Sequence, residues 1–172
     1  MSQPLTQQAP ASQPLIHGVR QVERVIARIE RVVISIALGI MLLAVTLDVL
    51  DRTFALPWPN LSEVALMAMA VLAFIGSAYC VYSGGHITVD VAEAISSPRV
   101  KRALAIAAQV SIVVFSAAIL YFGTPFLLYI LQLKERTPEL ELPLAFPVGS
   151  LLVGSTLSIF HVICRSLPSD ER

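Results

Sequence analysis

The chain has 172 residues, 56% of them hydrophobic and only 14% charged, with a formal net charge of zero. That balance is too apolar for a soluble domain of this length and describes a chain built for lipid. Strand-type alternation is missing from the apolar stretches, which argues against a β-barrel, and nucleic acid is not an expected partner.

The expected fold class is an all-α integral membrane protein with four transmembrane helices, because four apolar windows reach the roughly 20 residues that cross about 30 Å of hydrocarbon. They are Val32 to Leu50, Leu61 to Ser83, Ala103 to about Leu131, and Leu142 to Cys164. Residues 1–16, rich in Gln, Pro, Ser and Ala, lack the basic start and adjoining apolar core of a cleavable signal and are expected to be a disordered tail. The first membrane helix then serves as an uncleaved anchor.

Residues 17–31 precede that helix. Val22, Ile26, Ile29 and Val33 recur at helical spacing, with Arg20, Arg24, Arg28 and Arg31 largely on other faces. The pattern predicts an amphipathic interfacial helix, the alternative being a simple extension of helix 1 with a positive collar. At the far end of helix 1 stands Asp48, near enough to the interface to reach it. The first loop, DRTFALPWPN, is short and stiffened by two prolines, and Trp58 suits the headgroup level. Asn60, three residues before Glu63, has the spacing of an N-cap followed by a helix-start acid.

Helix 2 leads into YSGGHITVD. Gly84 and Gly85 allow a sharp bend, and the stretch from His86 to Ser96 reads as a short interfacial helix on which His86 and Asp90 can pair. Ser97 and Pro98 fit the cap and first position of helix 3. Helix 3 is too long for one straight crossing, so it must tilt, kink or protrude. Gly123 and Pro125 are the candidate kink, and Gln109 a candidate interhelical hydrogen-bond partner. Ser150, Gly154 and Ser158 on helix 4, and Ala73, Gly76, Ser77 and Cys80 on helix 2, are small residues that permit close helix contact. Cys80 and Cys164 are expected to be reduced and packed. The membrane domain spans residues 32–167, and residues 168–172 form a short tail.

Nine basic residues lie before helix 1, between helices 2 and 3, or after helix 4, against three in the other two loops. Since Lys and Arg stay preferentially in the cytoplasm, both termini are expected there. Chemistry is sparse. His161 is the one histidine within an expected membrane helix, too few for a bilayer haem, and Ser158 one turn away has no oxyanion-hole signature beside it. No catalytic, cofactor or metal site is expected, and no enzyme activity.

The stretch WPNLSEVALMAMAVLAFIGSAYCVYSGGHITVDV, with the later RTPELELPLAFPVGSLLVG, resembles the small membrane subunit of tripartite ATP-independent periplasmic (TRAP) transporters. Glu63, AFIGSA, GGHITVD and TPELELP carry the likeness, in this order and spacing. The resemblance implies a small scaffold (stator) subunit in the bacterial inner membrane. It would support a large permease subunit in sodium-coupled uptake of an organic acid delivered by a periplasmic solute-binding protein. The elbow and helix 2 residues Glu63, Gly84, Gly85, His86 and Asp90 are then candidates for docking the large subunit. The rim residues Arg52, Lys134, Arg136, Glu139 and Glu141 are candidates for docking the binding protein, although their charges serve equally to keep a loop solvated. Membrane lipids complete the expected partners. The alternatives are a four-helix adaptor outside transport and a small exporter, but an exporter wants an acid deep in helix 1, and Asp48 is too near its end.

Overall fold

A computed structural model describes residues 13–55, 58–84 and 98–166. It contains four helices, α1 (Gln13–Phe54), α2 (Ser62–Ser83), α3 (Pro98–Leu133) and α4 (Ala145–Ser166). Each is long and apolar enough to cross a membrane. Their ends follow local chemistry. α2 stops at Gly84, whose left-handed φ of 70° is the conformation glycine adopts without strain. α3 starts on Pro98, whose missing N–H would have no partner in a first turn anyway. Pro147 sits in the first turn of α4 for the same reason.

The helices do not close into a bundle. Among the described residues α1 packs along α2, α2 along α4, and α4 along α3; α1 meets α4 only briefly, and α3 touches neither α1 nor α2. The order across the molecule is therefore α1, α2, α4, α3, an open row. Within the apolar stretches 28% of α2 and of α4 is buried, against 11% of α1 and 6% of α3, so the row has two central helices and two edge helices.

The central seam is made by small residues on α4. Ser150, Gly154 and Ser158 are buried, as their spacing predicted, and so is Ser155. At Gly154 the two backbones meet: a Cβ built there would lie 2.3 Å from the Phe74 carbonyl oxygen, a distance no side chain tolerates. The buried face of α2 differs from expectation. It is formed by Ala65, Ala68, Val71, Ala78 and Val81, whereas Ala73, Ser77 and Cys80 point outward. Cys164 is buried and Cys80 exposed, so only one of the two cysteines packs within the chain.

α3 is helical through Gly123 and Pro125. Gly123 has a packing role, since a Cβ there would fall 2.8 Å from Leu152 of α4. Gln109 is half-buried and makes no side-chain hydrogen bond, because α3 has α4 alone for company. At 36 residues α3 extends about 54 Å, well beyond the hydrocarbon thickness.

α1 is helical straight through the expected boundary at Arg31, and residues 13–16, expected in the tail, form its first turn. Its inward stripe is Glu23, Ala27, Glu30, Ile34, Ala37, Met41, Ala44 and Asp48, alternating steps of four and three. Val22 and Ile29, from the apolar face singled out in the sequence, are exposed, while the two glutamates turn toward the other helices.

If the Gly154 approach holds the row together, Gly154→Ala should cost about 1 to 3 kcal/mol, because neither backbone can move aside cheaply. Gly76→Ala, with open space around its Cβ, should be neutral or slightly stabilising. Thermal midpoints of the two variants in detergent check this; equal midpoints would show that the seam does not depend on the missing side chain.

Candidate functional site

Polar side chains concentrate at the two ends of the row. At the loop end, α1 finishes, α2 begins, and the α3–α4 connection folds over them. That connection is an ordered, hairpin-like turn. Arg136 and Pro143 pair as an isolated antiparallel bridge, the Thr137 N–H donates to the Leu142 carbonyl at 2.9 Å, and the Leu142 N–H donates to Thr137 Oγ1 at 3.0 Å. Lys134 and Glu141 both take a left-handed φ of 51° to make its corners.

Glu63 fastens this turn to α2. Its two carboxylate oxygens accept the N–H groups of Glu139, at 3.1 Å, and Leu140, at 2.9 Å. Asn60 adds a second link, its Nδ2 donating to Glu139 Oε1 at 3.2 Å. The expected cap geometry is displaced by one residue: Leu61 occupies the cap position, and Asn60 Oδ1 accepts from the N–H and hydroxyl of Ser62. Glu63 thus faces a loop 76 residues away, its acid clamping the turn as well as sitting at the positive end of its helix.

The exposed rim residues divide. Arg52 pairs with Asp48 at 3.0 Å one turn back, and Arg136 reaches the Glu141 carbonyl at 3.4 Å and its carboxylate at 4.0 Å. Glu139 is held by Asn60, and Lys134 lies exposed at the end of α3. All five rim residues share this end of the molecule. Of the elbow residues, Gly84 is described; Gly85, His86 and Asp90, with the short helix expected to contain the latter two, lie outside the described residues. Gly84 sits beneath the Arg165 guanidinium, whose nitrogens would be 3.4 and 3.5 Å from a Cβ built there. A cation thus covers the carbonyl end of α2, where the helix dipole favours it.

The other end holds a constellation absent from the sequence reading. His161 of α4 is 1% exposed, with Nδ1 3.3 Å from Glu23 Oε1 and Nε2 3.1 and 3.2 Å from the two oxygens of Glu30. Glu30 is 2% exposed. The Tyr82 ring of α2 lies 5.3 Å away and Phe160 covers another side. Ser158, the imagined partner of His161, donates instead to the Gly154 carbonyl at 2.9 Å. Nearby, Arg31 binds the Tyr79 hydroxyl through Nε at 3.1 Å and Nη2 at 2.8 Å, tying α1 to α2. One signal for the cluster was present in the sequence: Glu23 and Glu30 are seven residues apart, two turns on one face.

Removing the Glu63 carboxylate takes away the acceptor of two loop N–H groups and with it the link from the turn to α2. Glu63→Ala should therefore speed hydrogen exchange and proteolysis between Lys134 and Leu144, and Glu63→Gln should do so less. Unchanged exchange in Glu63→Ala would mean that the turn holds its shape unaided.

No curated protein matches the chain. A comparison with protein families matches residues 41–170 to the DctQ component of tripartite ATP-independent periplasmic transporters. The matched segment takes in the Glu63 clasp, the α2–α4 seam and His161, and begins beyond Glu23 and Glu30. The open row of four membrane-length helices and this match over most of the chain lead to one conclusion: the protein is a multi-pass membrane protein that belongs to the DctQ family, the small membrane component of TRAP transporters.

Proposed function

We propose that this chain is a stator: a fixed membrane scaffold that supports the large permease subunit during sodium-coupled, binding-protein-dependent uptake of an organic acid. The observation that carries this reading is the open row. Helices that close into a bundle satisfy one another, but here the edge helices leave long apolar faces uncovered, including Val114, Phe115, Phe122 and Phe126 on α3 and Ile36, Leu43 and Val49 on α1. Such faces suit lipid on one side and a large membrane partner on the other.

The polar features fall in with that role. In the inner membrane, with both termini cytoplasmic as the basic residues suggest, the Glu63 clasp and its rim face the periplasm. The rim residues Arg52, Lys134, Arg136, Glu139 and Glu141 then meet the arriving solute-binding protein, where mixed charge acts on encounter and orientation. A turn already ordered by Glu63 and Asn60 has less conformational freedom to lose on docking. At the cytoplasmic end, the elbow residues Gly84, Gly85, His86 and Asp90 form a docking contact for the large subunit. The first turns of α1, with their outward valines, isoleucine and arginines, lie at the membrane surface among lipid headgroups.

Co-expressed with its large permease, the chain should purify in a stoichiometric complex. Within that complex, single cysteines at Asn60 and Glu139 should react with a membrane-impermeant maleimide from the periplasm, and one at Ser169 should not. Recovery as a homodimer that excludes the permease, or labelling of Ser169 from outside, would contradict the proposal.

A further inference from the structure

The Glu23–His161–Glu30 cluster is unused by the scaffold role, and its composition sets a condition on it. A neutral imidazole has one N–H, whereas an imidazolium has two. Here each ring nitrogen faces a carboxylate, so both contacts are hydrogen bonds only while the ring carries both protons or one carboxyl is protonated. With the ring charged, the cluster carries one net negative charge and every polar contact is matched. With the ring neutral, two carboxylates share one donor and the local charge doubles, in a place where Glu30 and His161 are almost completely shielded from water. An unpaired buried carboxylate is the costlier state by far, and relief comes by separating the helices that hold it.

Among the described residues the cations on this part of α1 are Arg20, Arg24, Arg28 and Arg31. On α1, Arg31 is engaged with Tyr79, and Arg24 donates to the Arg20 carbonyl. On α2 the facing titratable groups are Tyr82 and, behind it, Tyr79. On α4 they are Cys164, one turn past the histidine, and Arg165, which lies over Gly84. α3 carries no titratable side chain between Ala103 and Leu120.

From this geometry we infer that Glu23, His161 and Glu30 form a proton-dependent latch that fastens the first turns of α1 to α4. α1 meets α4 only briefly, and among the described residues these are the only hydrogen bonds between the two helices. α2 ends at Ser83, four residues after the Tyr79 that faces Arg31, so the first turns of α1 run past its end. Loss of the ring proton on the Glu23 side, where the carboxylate is 15% exposed, releases Glu23 and that arm from α4 while Glu30 and the α1–α2 seam stay in place. The latch is therefore shut at low pH and opens as pH rises. Both carboxylates lie outside the segment matched to the DctQ family.

The test uses the full chain in nanodiscs, with Cys80 and Cys164 replaced and spin labels at Gln21 and Ile163, both on exposed surface. Pulsed electron resonance gives the α1–α4 distance, and nitrogen NMR of the histidine rings reports how many protons His161 holds. As the pH is raised across the range in which the fold persists, the His161 ring should lose one proton, and the label distance should lengthen and broaden in step. A lengthening of about 5 Å, one helical turn, is the expected scale. Glu23→Gln leaves a single carboxylate that a neutral ring can serve, so this variant should stay closed at both ends of the range. His161→Phe should be open throughout; should it fail to fold, Glu23→Gln carries the test alone. A wild-type distance that does not change with pH, or a Glu23→Gln variant that opens like wild type, would overturn the latch.

Discussion

The structure depends on the contact at Gly154. α2 and α4 are the two helices with neighbours on both sides, and they approach closely enough for a glycine on one to meet a backbone carbonyl on the other. In lipid the hydrophobic effect does not draw helices together, so close packing and interhelical polar contacts must do so. The seam supplies the packing, and the serines that flank Gly154 keep their hydroxyls occupied on their own helix: Ser150 on Pro147, Ser155 on Leu151, Ser158 on Gly154. They add no polar cost to the contact. α1 and α3 then attach to opposite edges of this pair. A bulkier α4 would leave two loosely joined helix pairs in place of one row.

The polar contacts act at the ends, where a helix row is weakest. Glu63 and Asn60 bind the α3–α4 turn back onto α2, which couples the far edge of the row to its centre at the loop end. At the other end Arg31 with Tyr79, Arg165 over Gly84, and the histidine between two glutamates join α1, α2 and α4. Both ends are thereby stiffened without placing charge at mid-height. A row fastened at both ends, with uncovered faces between, is consistent with the proposed role as a support for a membrane partner.

Much of this was legible in the sequence, and the failures have physical causes. Composition and window length suffice for four membrane helices, and Gly84, Pro98 and the Ser150, Gly154, Ser158 series mark a stop, a start and a packing face by local chemistry alone. On α1, Val22 and Ile29 face outward while Glu23 and Glu30 turn toward the other helices, an orientation that rests on a histidine more than 130 residues away and not on the apolar spacing. On α2, Ala73, Ser77 and Cys80 lie on the outer side. Glu63 was legible as a helix-start acid, but its partners lie on a loop 76 residues away, a relation that spacing along the chain does not encode. The His161 cluster needed the same long-range information.

The order of the helices is the claim on which the rest stands, and chemical cross-linking in the native membrane tests it most directly. In a cysteine-free background, a pair at Ala78 and Ser158, buried on the facing sides of α2 and α4, should form a disulfide under mild oxidation. Pairs scanned between the outward positions of α1 and α3 within one chain should stay unlinked even with a bifunctional reagent the length of a helix contact. Efficient intramolecular linkage of α1 to α3, with none between α2 and α4, would describe a closed bundle of different order and contradict the account.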